Sequence, residues 1–587
     1  MTKSRVVVTL FAAVAAACAP SAVPVAGEGD SGRVTRVADE FVAAFFERTP
    51  EAATRRGLPN ADHGGVIDNS LAAIARWHKR EDAWLAELRR IDPSALAGRP
   101  QWVEYGILRE LLEGLVAVRV CRMELWEVST TAPGWQASYA SLAGLQPVGS
   151  DERRAQAVAR VRALPGFLEN ETARLREGLR RGYTAPRVVV EGVIRQLDGL
   201  LATPPDSSAF VSPAQRDSTP GFRADLVRAI ADDFYPAVRR HRAFLADEYQ
   251  PRARTEIGLS AIPDGERCYR AAVRRFTTLD LASDDVFRAG EREMAAIEEE
   301  MRSLTLRRFG TADARAVLRR MREDTAFTYR DRRGPVEVSN AAIARARAEM
   351  PRWFGILPRA DVVVREHPEF RQREGAVAQY SPAPDDGSRP GVFWITTYRP
   401  ERTPRSYGEA TAFHEGIPGH HLQSAIAAER TGVHPVTRHF FFSGFGEGWA
   451  LYAERLADEM GLYSDDVARL GLLSSEAWRA ARLVIDAGIH VRGWTREQAV
   501  EYLASHTAMS LLQVQGEIDR YISWPGQATS YLLGNLEIRR LRRDAERRLG
   551  ARFDIRQFHD AVLGNGAVTL PMLREQVERW VRGGGGS

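Results

Sequence analysis

Two stretches decide how this chain reads: His414-Glu415-Gly416-Ile417-Pro418-Gly419-His420-His421 and Gly446-Glu447-Gly448-Trp449-Ala450-Leu451-Tyr452-Ala453-Glu454. Together they offer two imidazoles, a carboxylate ligand and a second carboxylate free to take a proton, which is what a catalytic zinc ion requires. The usual helix-borne arrangement is HExxH, with histidines at i and i+4 on one face. Here the histidines are spaced too widely for that motif.

On an ideal helix His414 and His420 would be separated by about 600° of rotation and about 9 Å of rise, and His421 by about 10.5 Å. Neither pair converges on one ion whose ligand bonds are roughly 2 Å long. Pro418 removes the difficulty. Its ring would clash with the carbonyl of His414 and it has no N–H to donate, while Gly416 and Gly419 allow unusual backbone angles. The spacing predicts a bulge or break at 416–419 that makes His414 and His420 equivalent to an i,i+4 pair. His420 is the expected second ligand. His421 is the alternate, and whichever histidine is left over would contact substrate or support the ligands.

Glu447 is the expected third ligand. Glu454, two turns further on nearly the same face, would orient a ligating histidine. Glu415 remains as general base, taking a proton from metal-activated water and returning it to the leaving amine. One Zn2+ per chain is expected, with manganese or cobalt as substitutes the same donors accept.

Outside this window helical periodicity dominates. Leu71, Ile74, Trp77, Trp84, Leu85 and Leu88 form one stripe after Ser70, a good N-cap. Similar stripes run through 153–180, 222–247, 284–303 and 340–350, with a turn cluster at 202–208. The segments 361–365, 376–380 and 391–397 are instead β-branched and aromatic with Gly and Pro between them, which predicts a small sheet just before the metal motif. Such a sheet can offer an edge strand to a peptide, or be a plain structural hairpin. Ser406-Tyr407-Gly408-Glu409 and Thr495-Arg496-Glu497-Gln498 read as capping boxes opening helices. The expected fold is mainly α, two-lobed, with a small β-sheet beside the active-site helix: a helical lobe at 32–300 and a catalytic lobe at 301–582.

The 587 residues are 44% hydrophobic and 27% charged, with a net charge of +4. Basic and acidic residues are interspersed along helices, so nucleic-acid binding has no support. Lys3 and Arg5, then the apolar run Val6–Ala17, read as a signal segment (1–18), too short to span a membrane. Ala15-Ala16-Ala17-Cys18 resembles a bacterial lipobox without its Leu, which predicts lipidation of Cys18; cleavage after an Ala-x-Ala site, giving a freely secreted chain, is the alternative. Either way the chain is exported, to the periplasm or anchored to the outer membrane, and touches a membrane only through a lipid. Residues 19–31 read as a tether and 583–587 as a flexible Gly/Ser tail. Cys121 and Cys268 are either a disulfide or two buried thiols.

HEGIPGHHLQ, GEGWALYAE, Arg520-Tyr521, Pro525-Gly526-Gln527, Tyr531 and Phe558-His559-Asp560 resemble domain-of-unknown-function family 885. Its members are commonly bacterial lipoproteins placed near the gluzincin metallopeptidases. The resemblance implies a mainly helical, cleft-shaped zinc peptidase similar to the thimet, angiotensin-converting and Taq types, with the Pro-Gly insertion as its departure from them. By that similarity Tyr531, following Pro525, would donate to the oxyanion. Arg520 and Tyr521 would bind substrate, Arg520 through a substrate carboxylate; the alternatives are a surface salt bridge for Arg520 and a packed aromatic for either tyrosine. Asp486 and His490, spaced i,i+4, would form an Asp-oriented histidine that polarises the carbonyl, or simply a helix-stabilising pair. The expected activity is hydrolysis of short peptides. The alternatives are hydrolysis of a non-peptide amide or ester, and a metal-free binding or scaffold lipoprotein.

Overall fold

The computed structural model describes residues 29–131, 134–367, 372, 378–383 and 389–585. The signal segment with Cys18, most of the tether, Ala376 and Val377 of the middle β segment, and the last two residues of the tail lie outside them. The chain is mainly α with one small sheet. The helical stripes become helices where their caps allow. Ser70 accepts from the Ala73 amide and opens Leu71–Leu88, burying Trp77, Trp84, Leu85 and Leu88. The Thr495 capping box is formed in full and opens Arg496–His506. The Ser406 box is not: Ser406 already has helical backbone angles and makes no capping bond, and Glu409 is taken by Arg345 and by the Ser464 amide.

Among the described residues, three hydrophobic cores hold the molecule together. One lies within residues 135–253. A second joins residues 118–327 to 467–533, and here the helix Ser283–Phe309 lies along Asp466–His490. The third joins the N-terminal helices, from Val34 to Leu112, to residues 342–581 and includes Phe413, Leu422 and Trp449 from the metal-motif helices. The cores thus run across position 300 and do not separate there, because the first helices pack onto the later half of the chain. Cys121 and Cys268 form a disulfide, Cα–Cα 4.7 Å, which settles that alternative.

The sheet comprises β1 (Val362–Glu366), β2 (Gln379–Ser381) and β3 (Gly391–Ile395) in the order β1-β3-β2. β1 runs parallel to β3, and β2 antiparallel, with Tyr380 opposite Phe393. β2 is therefore an edge strand. Among the described residues no helix is long and apolar enough to cross a membrane.

Candidate metal centre

The helix that begins at Tyr407 stops at Glu415, and a new one runs from His420 to Ala428. Between them Gly416 and Gly419 leave helical geometry (ψ −122° and −129°) and the Ile417–Pro418 peptide is cis. The interruption is a full break. Gly419 is required at this turn, since a Cβ there would press into the backbone of Phe413 and His414, 2.6 Å from the His414 carbonyl carbon. The fully buried Trp449 donates from Nε1 to the Pro418 carbonyl at 2.9 Å. This pins the break to the helix Ser443–Glu459, which bears Glu447.

That helix is itself set by glycine. It packs on Ser530–Leu549 with Gly444 and Gly448 facing Gly534, and a Cβ on Gly448 would lie 2.5 Å from the Gly534 carbonyl carbon. The hydroxyls of Ser443 and Ser530 meet at 2.7 Å, tying together the helices that bear Glu447 and Tyr531.

The result gathers His414, His420 and Glu447, with one donor atom from each all within 4.8 Å of one another. Glu447 Oε2 lies 3.5 Å from His414 Nε2 and 3.3 Å from His420 Nε2, and the two rings are perpendicular with centroids 4.8 Å apart. Tetrahedral zinc with bonds of 2.0–2.1 Å would space its ligand atoms by about 3.4 Å, and the two spacings from Glu447 Oε2 to the imidazole nitrogens match that. Glu447 Oε2 is also buried without a hydrogen-bond partner, which a carboxylate oxygen rarely is. Burial alone would raise Glu447, but the two imidazoles hold it well below the usual carboxylate range.

His414 is aimed by its other nitrogen. Nδ1 donates to Glu454 Oε1 at 2.7 Å, which leaves Nε2 facing Glu447. Burial would lower this imidazole, but Glu447 and Glu454 outweigh burial and lift it to about 9. Glu454, 1% exposed, accepts from the Ser475 hydroxyl at 2.7 Å, with Arg479 Nη2 3.6 Å away. Burial would raise its carboxyl; Arg479 and His414 hold it down. Ser475 and Arg479 were not singled out from sequence. Their i,i+4 spacing places both on one face of the helix Asp466–His490, which is buried along most of its length but also carries other polar residues, so the sequence holds no signal specific to them.

Glu415 accepts the Tyr380 amide of β2 at 2.8 Å. Tyr531 is half-buried with the Arg482 guanidinium 4.1 Å from its ring centre. Burial, and after it the charge of Glu447, keep its hydroxyl above the ordinary value and protonated.

Other candidates are placed elsewhere. His421 is 2% exposed and turns away from the metal donors: Nε2 meets the Ala360 carbonyl at 3.1 Å and Nδ1 the Tyr380 hydroxyl at 3.0 Å. Burial keeps it below the ordinary imidazole value. It is neither the second ligand nor open to substrate. Arg520 is committed inward, to Glu517 at 2.9 Å and to Gln527. Tyr521 is fully buried; its hydroxyl donates to Glu517 at 2.7 Å and accepts from Trp478 and Arg482. Both belong to an internal ionic knot with Glu517 and Arg482. Asp486 and His490 do not pair, although they share a helix face. Asp486 accepts the Gly526 amide at 3.0 Å and His490 Nε2 bonds the Tyr521 carbonyl at 3.0 Å. Both are 0% exposed, and burial pushes Asp486 up to about 7 and His490 down to about 3. Asp486 therefore does not orient His490, and His490 has no path to a substrate carbonyl.

The family described as bacterial protein of unknown function (DUF885) matches residues 50–577. No curated protein matches the chain significantly. Among solved structures, a candidate lipoprotein from Colwellia psychrerythraea is 26% identical, with a TM-score of 0.84 over 94% of this chain and 100% of that one. A candidate lipoprotein of unknown function from Shewanella oneidensis is 18% identical, with a TM-score of 0.74 over 92% and 99%, and shares the fold. With the match extending over most of its length, the chain belongs to the DUF885 family.

Proposed function

We propose that this protein is a zinc-dependent hydrolase of short peptides. The observation that supports this most is the spacing of His414 Nε2, His420 Nε2 and Glu447 Oε2, with Nδ1 of His414 already held by Glu454. A zinc ion bound there would supply a Lewis acid that polarises a scissile carbonyl and acidifies a water molecule. Glu415, adjacent in sequence to the first ligand, accepts that water's proton on its carboxylate and delivers it to the leaving amine. Tyr531, protonated beside Glu447, donates to the oxyanion. The edge strand β2, whose Tyr380 amide points at Glu415, offers the backbone against which an extended peptide can lie. The basic, apolar start of the chain and the candidate lipoproteins that share its fold favour an exported lipoprotein.

Glu415→Gln tests the reading. It should keep one zinc per chain while peptide cleavage, scored by mass spectrometry on a peptide library, falls by about 10²–10⁴-fold. Full cleavage by that variant would exclude Glu415 as the base. Wild-type protein that holds zinc but cleaves no peptide would point to a non-peptide amide or ester instead. Protein that binds no zinc would favour a metal-free scaffold.

A further inference from the structure

His420 and His421 are adjacent in the first turn of one helix, so their side chains diverge by about 100°. When one faces Glu447, the other faces the sheet. His421 bonds the chain leading into β1 and the middle residue of β2, beside the start of β3. Its Nε2–H donates to the carbonyl of Ala360, two residues before β1 (3.1 Å). Its Nδ1 accepts from the hydroxyl of Tyr380 in β2 (3.0 Å), and the rings meet edge to face at 5.6 Å. The first residue of β3, Gly391, makes room for this: a Cβ there would lie 2.5 Å from the Tyr380 hydroxyl and 3.0 Å from His421 Nδ1.

Tyr380 is held at a second point, since its amide donates to Glu415 Oε2. In an antiparallel pair the N–H and C=O of one residue point to the same side. The Tyr380 carbonyl therefore lies on the edge of β2 that pairs with no strand among the described residues, the side that faces Glu415. β2 has three residues and is followed by Pro382, which has no amide to donate. So short a strand cannot fix its own register, and a slip of one residue would turn every side chain to the opposite face.

We propose that His421 is a positioning residue that anchors this edge strand through Tyr380, setting where an extended peptide backbone lies relative to Glu415 and the His414–His420–Glu447 cluster. This rests on the peptidase reading and assigns the peptide's path within it. Adjacent histidines then divide the work, one toward the metal and one toward the substrate strand.

The test is binding of a fluorescein-labelled random octapeptide mixture to the full, zinc-free chain, read by anisotropy, with zinc uptake measured separately. Tyr380→Phe, His421→Gln and Gly391→Ala should each weaken binding by about five- to tenfold, the effect of one lost hydrogen bond in a desolvated site. The double variant Tyr380→Phe/His421→Gln should be no weaker than either single one. His421→Asn, whose Oδ1 can still accept the Tyr380 hydroxyl, should recover part of the loss. Zinc uptake should remain one per chain throughout. Unchanged binding in the single variants, fully additive losses, or loss of zinc on changing His421 would each overturn the proposal. If the wild type shows this coupling yet cleaves no peptide, the peptidase reading fails and the strand anchor stands. If it cleaves peptides but shows no coupling, the anchor fails and the peptidase reading stands.

Discussion

Glu454→Ala is the most informative single substitution at the centre. The carboxylate is 1% exposed and connects three groups: His414 Nδ1 at 2.7 Å, the Ser475 hydroxyl at 2.7 Å and Arg479 at 3.6 Å. Removing it frees the His414 ring to rotate and to change tautomer. Loss of such a supporting partner weakens metal affinity by about 10–100-fold, equivalent to about 1.4–2.7 kcal/mol. It also leaves Arg479, 7% exposed, without its carboxylate, and an uncompensated buried charge costs about 3–5 kcal/mol. Two effects should therefore separate experimentally. Competition with a chromophoric chelator should show zinc bound about 10–100-fold more weakly. Thermal unfolding should show a lower midpoint without zinc and a smaller rise on adding it, since a ligand stabilises according to its affinity. Glu454→Gln, which can still accept from His414, should lie between. Wild-type zinc affinity in Glu454→Ala would refute the claim that Glu454 aims a ligand.

Gly448→Ala should destabilise the protein by about 1–3 kcal/mol and weaken zinc binding, because its Cβ would meet the Gly534 backbone at 2.5 Å. Gly199→Ala, with nothing within 4 Å, serves as control and should be neutral or stabilising in the same melts. His559 is buried, between the Trp353 carbonyl and the Tyr452 hydroxyl, and burial pushes it down to about 3. Below its ordinary value of 6.5 the unfolded chain binds a proton that the folded chain refuses. Its contribution is thus complete above pH 6.5 and lost as pH falls toward 3, roughly 3–5 kcal/mol in all. In His559→Gln, denaturant-measured stability should fall less between pH 7 and pH 4 than in the wild type; an equal fall would count against this. Reducing the Cys121–Cys268 bond, which spans 147 residues, should cost up to about 5 kcal/mol by the loop-entropy relation, seen as an earlier urea midpoint.

How far the centre could be read from sequence depended on whether a residue's partner was local. Pro418 between two glycines forces a break wherever it stands, so the departure from a straight helix was legible. So was the reach of Glu454 back toward His414, two turns beyond Glu447 on one face. The mainly α fold with one small sheet followed from the periodicity. Tertiary partners were not legible. Asp486 and His490 share a face, but each is captured by a backbone group from 521–526. Arg520 and Tyr521 lie beside Glu517 on one helix, and burial turns that helix's charges onto one another. Glu409, the Glu of the expected Ser406 capping box, is drawn away by Arg345 across 64 residues. The role of His421 depends on Ala360, Tyr380 and Gly391, none of them close in sequence.

The most direct test is anomalous diffraction at the zinc edge, on crystals of the full protein grown with one equivalent of zinc. One strong peak should appear within about 2.0–2.2 Å of His414 Nε2, His420 Nε2 and a Glu447 oxygen. Its absence from that cluster, or a peak bonded to His421 in place of His420, would contradict the account.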